Sequence, residues 1–331
     1  MSPRRKGSLA VAVAVALGCG RTGTGAERTP DANQAATAVA TILDETRHAA
    51  TADASTKSTQ DASAAEGEAP FLTGVPTAAR AIGHTSVVFK VELSTGKKAA
   101  FKPASRRGPF RYKGEVAAYR LARALRLPNV PPAFFRTFDA NTLAAAKGAD
   151  EMIVSSGVVK GALIPWIAEL SFVALEQRPL AIDWKNWLKR TSWVPEERRE
   201  MAREVSTLVA FDYITGNWDR WSGGNVGVDK TTGSLLYIDN DGAFFEVAPE
   251  EGLQRNKKLL AGIDRFSRSF ISRLRSLDDA AIAGAIGDET PDVPLLSPKA
   301  LAMTLKRRGE LLDVVNAKVE AAGENETYFF P

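Results

Sequence analysis

The order of the predicted elements points to an α+β protein with two unequal lobes, a small one built on an antiparallel sheet and a larger one that is mostly helical. Three observations carry this expectation. Short apolar runs gather between residues 69 and 168, a single amphipathic helix interrupts them, and from 169 to 331 the apolar spacing becomes helical apart from one hairpin.

The chain has 331 residues, 44% of them hydrophobic, enough for a sizeable core. Its net charge of +4 comes from 43 Lys and Arg against 39 Asp and Glu. Arg4, Arg5 and Lys6 stand among the first 18 residues with no acid beside them, and without those residues the balance is 40 against 39. That balance gives no argument for nucleic acid, which would call for a clustered basic face rather than dispersed pairs, and no nucleic-acid partner is expected. The apolar run "SLAVAVAVALG" that follows has 11 residues, too short to span a bilayer, and ends at Cys19, the single cysteine. This arrangement resembles a bacterial lipobox. It implies that residues 1–18 are a lipoprotein signal peptide and that lipidated Cys19 anchors an exported protein to a membrane, periplasmic or at the cell surface. The bland alternative is an ordinary signal peptide with a cysteine placed by chance. Residues 19–68 contain no aromatic side chain and are rich in Ala, Thr, Ser and Glu. They cannot bury enough apolar surface to offset their ordering entropy, so a disordered tether is expected.

Structure is expected from residue 69. "ARAIGHTSVVFKVELSTGKKAAFKPAS" predicts a strand up to about Ile82, a second over Ser86 to Leu93, a turn at "STGK" and a third over Lys98 to Lys102. "GEVAAYRLARALRLP" predicts a helix whose apolar stripe runs through Ala118, Leu121, Ala122 and Leu125. Carried back one turn, that stripe lands on Glu115. A carboxylate there is costly unless paired, and Lys102 on the preceding strand is the nearest candidate. The other reading is that Glu115 only starts the helix, where the dipole favours an acid. These two residues alone do not choose between the readings.

Two more strands are expected around Met152 to Val159 and Ala162 to Trp166. "VPEERREMAREVSTLVAFDYITGN" then predicts a helix burying Val205, Leu208 and Val209. The last helix should open with Ser297 as N-cap and Pro298 at its first position, with a stripe through Leu301, Leu305, Leu312 and Val315. Residues 305–308, "LKRR", read as the solvated face of that helix.

The segment 212–245, "DYITGNWDRWSGGNVGVDKTTGSLLYIDNDGAFF", concentrates the chemistry. "NVGVD" and "SLLYID" are strands joined by the four-residue loop "KTTG", which sets Asp229 opposite Ser234 and Asn225 opposite Ile238. Asn225 is then diagonal to Asp239, close enough for a shared ligand. Asp219 lies in the Gly-rich loop leading into the hairpin. With only His48 and His84 in the chain, zinc is disfavoured, and oxygen donors of this kind suit Mg²⁺, Mn²⁺ or Ca²⁺. Asp241 reads equally well as a third metal ligand or as a turn residue before Gly242. Trp218 and Trp221 read as packing before they read as a substrate shelf, and Trp166 as packing between the lobes.

Together these pieces resemble the protein-kinase-like superfamily, in particular the secretory-pathway kinases of the four-jointed and Golgi casein kinase type. "FDYITGNWDR" is similar to their catalytic-loop segment, "YIDNDGAF" to their metal-binding stretch, and "FKP" with "GEVAAYRLARALRLPNVPP" to their upstream lysine and helix glutamate. The resemblance spans roughly residues 75–325. It implies a two-lobed kinase-like fold in which Lys102 holds the ATP phosphates, Glu115 positions Lys102, and Asp219 orients the acceptor hydroxyl. Asp239 and Asn225 would then hold Mg²⁺ or Mn²⁺, with Arg220 bracing the loop. The implied activity is transfer of the γ-phosphate of ATP to a hydroxyl of a secreted protein or glycan. The alternative is a pseudokinase lipoprotein that binds a nucleotide or a partner without turnover. Two positions depart from the kinase pattern. Asn225 is six rather than five residues after Asp219, so "SGG" must bulge or a different residue must serve, and the glycine loop is reduced to Gly83 in "IGHTS", leaving Ser86 or backbone amides to cover the phosphates.

Overall fold

The computed structural model describes residues 67–82 and 86–331; the expected signal peptide, Cys19, nearly all of the expected tether and Gly83 lie outside the described residues. A helical turn at residues 67–73 opens the described chain. Glu68, the last residue of the expected tether, accepts a 2.5 Å hydrogen bond from the Tyr119 hydroxyl and faces Arg123 at 3.5 Å.

The three early strands are β1 (Pro76–Ala81), β2 (Phe89–Leu93) and β3 (Lys98–Pro103), antiparallel in sequence. β2 starts three residues later than expected. Phe89, Val91, Leu93, Ala99 and Phe101 alternate toward one buried face, the period-two pattern of a half-covered sheet. The expected helix is α1 (Arg111–Ala124), which begins three residues early and buries Ala118, Leu121, Ala122 and Leu125 completely.

The sheet then departs from expectation. "AFFRTFD" forms β4 (Phe134–Asp139), a strand the sequence reading missed, and the two expected strands become a short β5 (Val154–Ser155) turning into a long β6 (Val158–Pro165). The order is β1-β2-β3-β6-β4, with β5 paired to β6. β4 escapes a search for alternation because Phe134 and Phe135 are adjacent and put an aromatic ring on each face. Phe138 meets Phe101 edge-on at 4.9 Å, whereas Phe135 lies 6.1 Å from Tyr112 of α1.

Next come β7 (Leu170–Phe172), α2 (Leu180–Trp187), α3 (Arg199–Thr215), and a hairpin of β8 (Val226–Asp229) and β9 (Leu235–Tyr237). Val226 pairs with Tyr237 and Val228 with Leu235, the register expected from a four-residue loop. β7 adds itself antiparallel to β8. Helices α4 (Glu250–Gly262), α5 (Arg268–Ser276) and α6 (Asp279–Ile286), a small hairpin of β10 (Asp288–Thr290) and β11 (Val293–Pro294), and α7 (Pro298–Ala322) complete the larger lobe.

Two expectations about α7 need correction. Its deepest face is Ala300, Thr304, Leu311 and Val315, so Leu301, Leu305 and Leu312 flank the buried line instead of defining it. Nor is "LKRR" a simple solvated run. Arg307 donates to the Ile214 carbonyl at 2.8 Å, and Arg308 donates to those of Leu274 and Leu277 at 3.2 and 2.5 Å. The C-terminal ends of α3 and α5 leave carbonyls without helical partners, and these two guanidinium groups supply the donors.

The small lobe keeps its own core, with Phe89, Val91, Phe101, Phe138, Val159 and Leu163 at its centre. The apolar stripe of α1 belongs instead to the large core that runs through α3, α5, α6 and α7. Leu121→Ala should therefore lower stability by about 2–5 kcal/mol. The denaturation midpoint would show it, whereas Trp193→Ala, at a side chain 78% exposed, should change stability by no more than about 0.5 kcal/mol.

Candidate active site

β3 carries Lys102 into the space between the lobes. It pairs with Ala162 on β6, and its ammonium reaches three elements at once. Nζ donates to Glu115 Oε1 on α1 and, at 2.5 Å, to Asp239 Oδ1 just after β9; Asp241 Oδ2 lies 3.9 Å away. Burial by itself would lower the lysine pKa. The attraction of Glu115, Asp239 and Asp241 outweighs it and holds the pKa above the ordinary lysine value. Glu115 is thus buried and paired with Lys102, so its place on the stripe is not merely that of a helix starter.

Asp239 leaves the strand with φ 57° and ψ 59°, a left-handed conformation that is costly for a residue other than glycine. The turn points its carboxylate at Lys102. Burial raises its pKa, and the Lys102 charge and hydrogen bond, then Arg220 and Arg111, more than reverse that, leaving it below the ordinary carboxylate range. Asp241 is the opposite case. Burial, reinforced by Asp239 and Glu115, pushes it up to about 6 against the pull of Lys102. It sits in the turn Asn240–Gly242 before Ala243, and its Oδ1 also accepts from Arg111 Nη1 at 2.9 Å.

The loop holding Asp219 is fixed by Arg220, whose side chain is fully buried. That guanidinium bonds Asp212 near the end of α3 at 3.1 and 3.2 Å, the Asn225 carbonyl at 2.7 Å, the Ile238 carbonyl, and Asn240 Oδ1 at 2.5 Å. Asn217 Oδ1 accepts from the Asp219 amide at 3.2 Å. Asn225 Nδ2 donates to the Asp219 carbonyl at 2.8 Å and to Ser222 Oγ at 3.3 Å, which leaves the amide oxygen as the group open to a cation. The extra residue between Asp219 and Asn225 is absorbed at Gly223 and Gly224, with φ of 105° and 76°, values that glycine adopts without strain. Gly242 lets the 239–242 turn close on this loop, since a Cβ there would come within 2.9 Å of Asp219 Cβ and Asn217 Oδ1.

Lys102, Glu115, Ser86, Asp219, Asn225 and Asp239 all line one cleft of about 1010 Å³. Its far end is apolar, with Val88, Ala100, Ile164 and Trp166; the Trp166 ring also carries the Lys90 ammonium 3.7 Å from its centroid. Trp221 is packing, stacked on Trp184 at 5.4 Å. Trp218 faces the Arg111 guanidinium at 5.7 Å. The sequence reading missed Arg111, Asp212, Asn217 and Asn240. Asp212 could have been found by the argument that exposed Glu115, because it continues the buried line of Val205, Leu208 and Val209 by one turn.

Among the described residues, no three His, Cys, Asp or Glu side chains form a ready-made cation cage. The donors present still fit a divalent cation. Arg107 at the rim is engaged by Glu151, with Nη2 2.6 Å from Oε1, so the inner cleft sets four carboxylates, Glu115, Asp219, Asp239 and Asp241, against Lys102 and Arg111. That leaves a formal surplus of two negative charges. A small hard cation held by a carboxylate and an amide oxygen, with phosphates completing its shell, suits such a donor set.

No protein-family model matches this sequence, and neither does any curated protein. The likeness is in three dimensions. The Golgi casein kinase solved with Mn and ADP bound superposes with a TM-score of 0.58 at 14% identity, over 77% of this chain and 76% of that one. Hydra Fam20 solved with a sugar gives 0.58 at 16%, over 78% and 89%. A further structure of the Golgi casein kinase gives 0.56 at 14%, over 76% of each. The architecture is the two-lobed protein-kinase-like fold. Within it, the structural likeness is to the Fam20-type secretory kinases.

Arg220→Ala should cost about 3–5 kcal/mol, because it strands Asp212 as a buried unpaired charge. The loss should shrink in acid. Burial raises Asp212 from 3.8 to about 6 in the folded protein even with Arg220 attracting its charge, and without Arg220 the value rises further. The native state then binds the proton more tightly than the unfolded chain does, so this group's contribution to stability falls as pH rises from about 4 through 6. Denaturation midpoints of the variant at pH 5 and pH 8, relative to the parent, would check the sign.

Proposed function

We propose that this protein is a metal-dependent kinase that transfers the γ-phosphate of ATP to a hydroxyl of a secreted protein or glycan. In this reading it works outside the cytoplasm, held to a membrane through lipidated Cys19. One observation carries the catalytic part: Lys102, Glu115 and Asp239, from three separate elements, converge on one ammonium in the cleft that Asp219 and Asn225 also line. Among the superposed proteins, the Mn and ADP of the Golgi casein kinase support the choice of nucleotide and metal, and the sugar of hydra Fam20 supports a hydroxyl acceptor.

The chain's own residues divide the work. The apolar end of the cleft accepts a flat base. Lys102, kept charged and aimed by Glu115 and Asp239, holds the α- and β-phosphates. Asp239 and Asn225 would hold the divalent cation, which when bound neutralises phosphate charge. Asp219 orients the acceptor hydroxyl and takes its proton as the new P–O bond forms and the bond to the β-phosphate breaks. Arg220 keeps Asp219 and Asn225 in fixed relation, so little reorganisation is left to the reaction itself.

ATP with Mn²⁺ or Mg²⁺ at about a hundred times its dissociation constant should stabilise the protein by roughly 2.7 kcal/mol, a shift of several degrees in Tm. Asp239→Ala should lose that shift. Asp219→Ala should keep it while turnover falls by at least about a hundredfold. Absence of any shift with either metal would sink the nucleotide reading. A metal-dependent shift with no phosphate transfer to any acceptor would identify a pseudokinase.

A further inference from the structure

We infer that Arg111 is a further catalytic residue, a cation that grips the γ-phosphoryl group while it is transferred. The inference rests on the kinase reading above. Arg111 is the first residue of α1, in the stretch "SRRGPFRYKGE" between Lys102 and Glu115. Its stem crosses Gly108 so closely that a Cβ there would sit 2.5 Å from Arg111 Cδ and 2.7 Å from Cγ, and a bare glycine is what lets the side chain turn inward. Nη1 is then held at 2.9 Å by Asp241, a carboxylate with 5% of its side chain exposed.

This anchoring aims the guanidinium. Lys102 and Arg111 take opposite oxygens of the Asp241 carboxylate, at 3.9 and 2.9 Å, so two positive charges stand in series along the cleft. Lys102 is the one on the sheet side. Arg111 is the one facing Trp218, the residue before Asp219. On the kinase reading, a phosphoryl group leaving a nucleotide on Lys102 for a hydroxyl on Asp219 would move within the cleft that both cations line. Arg111 lines that cleft and keeps 32% of its side chain exposed. Arg220, with none of its side chain exposed, is by contrast enclosed by its bonds to Asp212, Asn225, Ile238 and Asn240. A guanidinium fork matches phosphoryl oxygens in a way an ammonium does not.

The step balances without any further reactant. The acceptor oxygen bonds to the γ-phosphorus as the bridging P–O bond breaks, the bonding pair leaves with ADP, and the acceptor proton passes to Asp219. Arg111 stays protonated throughout. It donates N–H groups to the equatorial oxygens, where charge is spread in the transition state.

The test compares full-length wild type, Arg111→Gln and Arg111→Lys, titrating ATP and ADP separately in the presence of Mn²⁺ and following turnover. Glutamine retains an N–H for Asp241. The expected result is that Arg111→Gln weakens ATP about ten- to hundredfold, leaves ADP within about twofold, and lowers kcat by about a thousandfold or more. Arg111→Lys should recover part of kcat, and it carries the same ATP-against-ADP comparison if Arg111→Gln does not fold. Equal weakening of ATP and ADP would assign Arg111 a structural role and overturn the inference. So would unchanged ATP binding and kcat with a raised KM for the acceptor. Wild type that binds neither nucleotide with Mn²⁺ or Mg²⁺ overturns the kinase reading first and this inference with it, an outcome distinct from the other two.

Discussion

The buried guanidinium of Arg220 is the interaction on which the candidate site depends. One side chain closes the end of α3 through Asp212, the loop after it through the Asn225 carbonyl, and the segment following β9 through Ile238 and Asn240. Those are the segments that present Asp219, Asn225 and Asp239. A guanidinium suits the position because its donors form a rigid planar fork, so each partner's location constrains the others. Burying it beside Asp212 costs desolvation on both sides, and the site is rigid because every element around the pair must stay in place to compensate.

The second constraint is on α1, which belongs to the small lobe by sequence and to the large lobe by packing. Gly114 lies so close to the Asn240 carbonyl that a Cβ would come within 2.6 Å, bringing the helix directly against the turn that holds Asp239. From the other side, Glu289 on β10 receives Lys113 at 2.7 Å, Lys160 at 2.6 Å and the Tyr112 hydroxyl at 3.0 Å, and Arg120 donates to the Ile286 and Asp288 carbonyls at 2.7 and 2.8 Å. Burial raises the Glu289 pKa, but these donors win and hold it below the ordinary value. The consequence reaches Lys102. Glu115 meets it from a helix that is itself seated on the lobe that carries Asp239.

Much of this was legible in the residues, for identifiable reasons. A carboxylate on an otherwise apolar stripe marked Glu115, and the length of "KTTG" set the register of the β8–β9 hairpin correctly. Both signals are local, since helical period and turn length are properties of a few adjacent residues. β4 was not legible because Phe134 and Phe135 break alternation, each meeting a tyrosine of α1, Tyr119 and Tyr112, while Phe138 further along enters the small core. Arg111 was not legible either. Its partner Asp241 is 130 residues away, and nothing in "GPFRYK" distinguishes an arginine turned into a cleft from one left in water. The misread face of α7 has the same origin, because Arg307 and Arg308 look solvated until the carbonyl ends of α3 and α5 are placed beside them.

By itself, then, the sequence determined the α+β division, the main strands and helices, and a short roster of residues whose burial or spacing demanded a partner, Lys102, Glu115, Asp219, Asn225 and Asp239 among them. Only the tertiary structure decided how those demands are met: that Lys102 is shared between Glu115 and Asp239, that Arg220 is consumed inside the scaffold while Arg111 faces the cleft, and that α1 is fastened to the larger lobe. The physical reason is range. Periodicity and turn chemistry act over one or two turns of chain, whereas a charge is stabilised by whichever opposite charge the fold brings within a few ångströms, whatever its distance along the sequence.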